Sequence, residues 1–325
     1  MKLPRRRFLH LAAGAATLPA VSRIAWAQAY PTRPVRVIVG FAPGGAPDIV
    51  ARLLGPTLSE RLGQSVYVEN RTGAGSNIAT DAVVNAEPDG YTLLLVSPPN
   101  FVNAALYDKL NYNFIRDIAP VAALIRVPNV MEVNPAVPAK TVPEFIAYAK
   151  ANPDKLNMAS GGIGTSVHMA GELFKMMTGV RMPHVPYRGV GAAYPDLLAG
   201  QVQVMFDSTP GSIEFIRPRR LRALGLAALT RSPVLPELPT IAEFVPGYES
   251  SALHGVGAPR NTPPEIIERL NNEFNAALSE PAIRARLIDM GATPLGGTPA
   301  EFGKLVVDET EKWAKVVKFA GIKAS

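Results

Sequence analysis

The stretch Phe41-Ala42-Pro43-Gly44-Gly45-Ala46-Pro47-Asp48 lies between a β-branched run and an amphipathic stretch. Glycines in such a turn let the backbone approach a ligand with no Cβ in the way, and the unpaired N–H groups of the following helix start point at it. The chemistry on offer is capture of an anion such as a carboxylate, with no covalent step. Read as plain turn punctuation, the same residues bind nothing and Asp48 is only an N-cap. A second glycine loop, Ser160-Gly161-Gly162-Ile163-Gly164-Thr165, occupies the same kind of place further on.

Patterns for covalent chemistry fail on their own geometry. Gly73-Ala74-Gly75-Ser76-Asn77-Ile78 imitates a dinucleotide fingerprint, but Ile78 stands where a third glycine would admit close helix packing. No Gly-Lys-Ser/Thr follows a glycine loop, so a phosphate-cradling P-loop is missing. Ser160 follows a strand-like run, yet position 158 is Met158, where a nucleophile elbow needs glycine. After residue 27 the histidines are His168, His184 and His254, at no metal-ligand spacing. The expectation is no catalytic residue, no metal and no cofactor, with a hydrolase built from distant groups as the third alternative.

The elements that must position the two loops follow from periodicity. Val35, Val37, Ile38 and Val39 read as a strand buried on both faces, and Ile49, Val50, Leu53, Leu54, Leu58 and Leu62 recur at helical spacing. Strands at 66–68 and 91–97 around a helix at 77–85 complete a first doubly wound unit; strands at 118–127 and 129–133 leave it. A second unit runs through a helix opened by Thr141-Val142-Pro143-Glu144 and a strand at 156–159 before its glycine loop. After that loop come a helix to Thr178, a strand at 182–187, a helix at 192–199 and strands at 202–206 and 221–228. Capping boxes at Thr262-Pro263-Pro264-Glu265 and Thr298-Pro299-Ala300-Glu301 open tail helices, and His254 to Ala258 rejoins the first sheet. The fold class is α/β with two lobes: 28–127 with 242–325, and 128–241. Two crossings between them make a hinge.

Residues 1–27 read as an export signal, with Lys2, Arg5, Arg6 and Arg7 at its head and Ala25-Trp26-Ala27 at its cleavage site. Arg5-Arg6-Arg7-Phe8-Leu9 resembles a twin-arginine signal, with an ordinary secretory signal as the alternative. The 33 basic side chains, less the five in this segment, leave 28 against 27 acidic ones, a net +1. The mature chain therefore gives no argument for nucleic acid or for a polybasic membrane patch. The chain has no cysteine, so an exported protein of this composition relies on burial and not on disulfides.

Several pieces in order resemble one family. They are Phe41-Ala-Pro-Gly-Gly-x-x-Asp48-x-x-Ala51-Arg52, Leu62-Gly63-Gln64 with Val68-Glu69-Asn70-Arg71-x-Gly73-Ala74-Gly75, and Pro88-Asp89-Gly90-Tyr91-Thr92-Leu93-Leu94. Later come Ser160-Gly161-x-Gly-x-Thr165 with His168-x-x-Gly171-Glu172, His184-Val185-Pro186-Tyr187, and Gly200-Gln201-Val202-x-x-Met205-Phe206-Asp207. Together they resemble the Bug-type periplasmic solute-binding proteins of tripartite tricarboxylate transporters. The resemblance implies a two-lobed trap of the periplasmic binding protein kind, closing on a small organic acid held by backbone amides and hydroxyls. Carried over by position, the ligand residues are Phe41, Ala42, Pro43, Gly44, Gly45, Asp48, Ser97 and Asn100 from the first lobe. Ser160, Gly161, Gly164, Thr165, Tyr187 and Asp207 come from the second. Pro47 stands where the family often has a hydroxyl, so that contact is lost; Glu69 and Arg71 read as scaffold.

The expected function is a monomeric periplasmic receptor for a small organic solute, a carboxylate, that delivers to transporter membrane subunits. A periplasmic ligand sensor for a signalling system is the alternative. Both glycine loops are expected to grip one ligand, and a bulky residue at Gly44 or Gly164 to abolish binding without touching either core.

Overall fold

The computed structural model describes residues 30–324, so the expected export signal lies outside the described residues. Strand β1 (Val35–Val39) pairs in parallel with β2 (Val66–Asn70) on one side and β3 (Thr92–Val96) on the other. Helix α1 (Ala46–Leu62) connects β1 to β2, and α2 (Asn77–Val84) lies between β2 and β3. α1 buries Val50, Leu54 and Leu58 against the sheet, and Gly63 ends it in the left-handed conformation.

A long strand, β4 (Ile118–Val133), carries the chain out of this unit. Its first part pairs antiparallel with β9 (Ser251–Pro259), from Ile118↔Pro259 to Pro128↔Ser251. From Asn129 onward its partners are β7 (Val204–Ser208) and β8 (Arg222–Leu226), also antiparallel. β5 (Met158–Ser160) then pairs in parallel with both β7 and β6 (His184–Pro186). The order is β2-β1-β3-β9-β4-β7-β5-β6, a curled mixed sheet that serves both lobes of an α/β fold. Connecting helices are α3 (Pro98–Leu106), α4 (Phe114–Asp117), α5 (Val142–Ala151), α6 (Ser166–Thr178), α7 (Val190–Ala199) and α8 (Thr209–Ile216). The tail supplies α9 (Pro264–Ser279), α10 (Pro281–Asp289), the short strand β10 (Thr293–Pro294) and α11 (Pro299–Ala320).

Strand direction places the loops. β9 is antiparallel to both β3 and β4, so β1 and β3 run the same way as β4 and end toward the second lobe. β7 opposes β4, so β5, β6 and β7 end toward the first lobe. The carboxyl ends of the two parallel sets therefore point toward one another, the arrangement in which open α/β sheets bind ligands. α11 ties the lobes together by packing on α3, α6 and β4. One apolar cluster runs through Phe101, Phe302 and Trp313 into Phe174 and Phe206.

Four elements depart from the pattern read in the sequence. β4 is one strand and not two, because Pro128 falls where its partner changes and its missing N–H coincides with the end of one ladder. α3 itself was not read: Pro98-Pro99 opens it after the third strand, since proline suits the first helical turn. α10 follows α9 at Pro281 without a loop of its own. The box at Thr262 does not form: Pro263 is the N-cap and the Thr262 hydroxyl donates to Pro259 O at 2.8 Å. The box at Thr298 forms as read. Residues 240–250 pack with the second lobe, Ser250 N–H donating to Ala227 O at 3.0 Å and the Tyr248 hydroxyl to Ala170 O at 2.9 Å. No helix among the described residues is long and apolar enough to cross a membrane.

Candidate functional site

The first-lobe loop leaves β1 at Val39 and enters α1 with Gly45, not Asp48, as N-cap. Ala42 to Gly45 are exposed, whereas Asp48 is 2 % exposed beneath them. Its carboxylate accepts Gly44 N–H at 3.0 Å, Arg52 Nε at 3.0 Å and Asn70 Nδ2 at 2.8 Å, and Asn70 also donates to Phe41 O at 2.9 Å. Burial works against its charge, but those donors outweigh burial and hold the carboxyl below its ordinary value. Asp48 is thus a brace that shapes the loop, and its oxygens are already engaged. Gly44 has φ +91° with open space where a Cβ would go, so its backbone and not its size is what needs glycine. Gly45 and Ala46 N–H have no acceptor among the described residues.

Beside this loop, β3 ends at Ser97, the N-cap of α3. Ser97 N–H donates to Asn100 Oδ1 at 2.8 Å, Asn100 Nδ2 to Thr80 Oγ1 at 2.8 Å, and Ser97 Oγ lies 3.3 Å from His254 Nδ1. Ser97 and Asn100 are each 1 % exposed, so both stand behind the surface. Burial pushes His254 down to about 4, against a smaller opposing effect of the Val96 backbone, and the ring is neutral.

In the second lobe, Ser160 Oγ bonds His184 Nε2 at 2.6 Å and accepts Gly162 N–H at 3.1 Å. His184 stacks on His168 with ring centres 3.7 Å apart. His168 Nδ1 accepts Gly164 N–H at 3.1 Å, and its Nε2 lies 3.3 Å from Glu172, which Lys175 pairs at 2.7 Å. Burial lowers His184 to about 3, so it stays neutral and fixes the loop instead of moving protons. Thr165 caps α6, accepting His168 N–H at 3.3 Å, and its hydroxyl donates to Gly162 O at 2.7 Å. Gly161, Ile163 and Ser166 N–H have no acceptor among the described residues.

Gly164 corrects an expectation. With φ +78°, a Cβ there would lie 2.5 Å from Leu106 Cδ1 of α3, so the loop touches the first lobe and a bulky residue would disturb packing. Its amide, taken by His168, is also not free for a ligand. Tyr187 N–H donates to Ser160 O at 2.9 Å and its hydroxyl to Asp196 at 2.7 Å; burial and Asp196 push the phenol up to about 12. Asp207 is 2 % exposed and accepts the Tyr194 hydroxyl at 2.6 Å. Glu132 of the neighbouring β4 is fully buried on the same face of the sheet, and neither of its oxygens meets hydrogen-bond geometry. Burial raises both carboxyls, and for Glu132 the Asp207 charge adds to it.

The structure therefore gathers the expected residues into four groups: the Phe41–Asp48 loop, the Ser97–Asn100 helix start, the Ser160–Thr165 loop with Tyr187, and Asp207 with its buried neighbours. No hydrogen bond joins the Phe41–Asp48 and Ser160–Thr165 loops among the described residues, and hollows of about 760 and 800 Å³ are lined by other residues. Asn70, Thr80, His184, Glu132 and Tyr194 were not read as site residues. Asn70 and His184 stand inside the quoted motifs, but partner choice across 22 or 24 positions leaves no local signal. Among the described residues no group of three His, Asp or Glu is placed to hold a metal. The unpaired N–H groups at two helix starts suit an anion held by hydrogen bonds.

Residues 50–322 match the model of the tripartite tricarboxylate transporter family receptor. The chain is 39 % identical over 300 residues to protein BugT of Bordetella pertussis, covering 91 % of this chain and 92 % of that protein. A solved R. palustris protein with adipate is 38 % identical with TM-score 0.81, covering 90 % of this chain and 99 % of that one. MatC of Rhodopseudomonas palustris with bound malate is 36 % identical with TM-score 0.76, covering 89 % and 100 %. With the fold and nearly the whole described chain matched, this protein belongs to the tripartite tricarboxylate transporter receptor family, as a Bug-type member.

Proposed function

We propose that the chain is a periplasmic receptor that captures a small organic carboxylate between its lobes and hands it to the membrane subunits of a tripartite tricarboxylate-type transporter. The observation that carries this reading is the pair of helix starts, one from each lobe, whose unpaired N–H groups lie at carboxyl ends of strands running toward each other. A carboxylate bridging them needs no buried cation, because the amides satisfy its charge. The dicarboxylates in the two solved relatives support the choice of solute class.

In this reading direct contact falls to Ala42–Ala46, Gly161, Ile163 and Thr165, with Phe41 and Tyr187 as walls. Asp48, Ser97, Asn100, Ser160, Gly164 and Asp207 set the backbone that makes contact. The first lobe comprises 28–127 and the chain after residue 250, and the second the segment between; the return comes later than 242 because residues 240–250 bond to β8 and α6. Export by residues 1–27 and a monomeric state belong to the same reading.

A thermal-shift series of the mature protein with adipate, malate, citrate and uncharged amides tests it. A cognate carboxylate at 100 times its Kd adds about 2.7 kcal/mol of stability. Stabilisation by amides alone, with every carboxylate silent, would sink the proposal.

A further inference from the structure

The mature chain is nearly neutral, yet Arg217-Pro218-Arg219-Arg220-Leu221-Arg222 sets four arginines in six positions with no acid among them. They lie where α8 gives way to β8, in the second lobe. Arg217, Arg219 and Arg220 are exposed, and the ion pairs of this lobe engage Lys175, Arg181 and Arg231 instead. Arg222 is pinned by Val137 O at 3.0 Å and Ala139 O at 2.9 Å, so its charge is fixed in place.

Arg219 sits in the left-handed region at φ +58°. Its neighbours close α8, with Arg220 N–H bonding Phe215 O at 2.9 Å and Arg219 N–H bonding Ile216 O at 3.0 Å. That terminal position favours glycine, and a side chain kept there against backbone preference points to a use for the side chain. One or two cations at a helix C-terminus are accounted for by its dipole; three exposed ones without an ion pair, beside the pinned Arg222, are not.

Arg217, Arg219 and Arg222 rim a hollow of about 760 Å³, while Arg220 turns over the Phe215 ring at 5.5 Å. Its floor is apolar, from Leu224, Leu235, Leu238 and Phe244, the last 42 % exposed. Lys140 adds to the positive rim and Glu237 is the one acid lining it. A concave site with an apolar floor and a basic rim fits a protruding peptide better than the flat face of a bilayer.

We propose that this face of the second lobe docks an acidic, leucine-type segment of a partner protein, the partner being the membrane subunit of the function proposed above. The proposal rests on that function, but the two separate experimentally. Fluorescence anisotropy of the mature protein would use a synthetic glutamate–leucine peptide, its lysine–leucine counterpart and phosphatidylglycerol vesicles, at low and high salt. The expected result is salt-sensitive binding of the acidic peptide only, weakened about tenfold or more by R217E/R219E and by R219G. R219G relieves the left-handed strain, so its melting temperature should hold or rise, and the solute-induced thermal shift should be unchanged in both variants. Vesicle binding equal to peptide binding, no peptide binding, or equal binding by the variants would overturn it. Loss of the solute shift in the native protein would overturn the proposed function instead and leave this surface standing.

Discussion

His254 offers a sharp test of how β9 is held against the end of β3. It lies on β9, 3 % exposed, with Nδ1 facing Ser97 Oγ, and burial holds it at about 4 against an ordinary value of 6.5. Its folded value is depressed, so the folded state binds fewer protons than the unfolded one. The stability it contributes is complete above 6.5 and drains away as pH falls toward 4. At pH 5 the loss is 1.5 pH units at about 1.36 kcal/mol each, or about 2 kcal/mol. For a mature chain this size that is about 3 °C in melting temperature, from about 2.1 cal/mol/K of unfolding entropy per residue. The assay is urea or thermal unfolding of the mature protein and His254→Gln at pH 7.5 and pH 5. The variant should start lower, since it loses a packed ring, but should fall about 2 kcal/mol less between the two conditions. Equal falls would show that His254 carries its proton in the fold and that the Ser97 pocket is wetter than described.

Other consequences are as direct. Glu132 is raised by burial, so the native protein carries a deficit that grows above 4.5 by about 1.4 kcal/mol per pH unit until the folded group ionises; Glu132→Gln should melt higher at pH 7 and alike at pH 4. Asp48→Ala removes the acceptor shared by Gly44 N–H of the loop, Arg52 of α1 and Asn70 of β2, and should weaken solute binding while costing about 1–3 kcal/mol of stability, read by calorimetry and urea unfolding. Gly44→Ala should cost about 1–2 kcal/mol for its left-handed backbone, whereas Gly164→Ala should cost more because Leu106 must also move. Thr298→Ala should lose about 1 kcal/mol with its capping box.

The local grammar of the chain was plain where one residue's chemistry decides its own surroundings. The β-branched run before Phe41, the helical spacing after Pro47 and the Thr298 box all became what they read as, because each is settled within a few residues. β4 was misdivided because Pro128 is a break by its own preference, and only the exchange of β9 for β7 at that point makes it tolerable. Thr262 lost its cap to Pro259 O, a competition between two neighbours that the motif does not encode. In the candidate site, the loops were visible as glycine and proline, but their supports were not. Asp48 finds Asn70, Ser160 finds His184 and Asp207 finds Tyr194 only after the chain has folded. The arginine run at 217–222 was visible throughout; what gives it meaning is the hollow it rims and the left-handed Arg219.

The central claim is that one solute is held by both lobes at once. Amide hydrogen exchange of the mature protein, with and without the carboxylate found by thermal shift, measures it at the N–H groups concerned. Gly45 and Ala46 in the first lobe and Gly161 and Ile163 in the second should gain protection together, over the same range of solute concentration. Protection confined to one loop would place the solute in a single lobe and contradict capture between them.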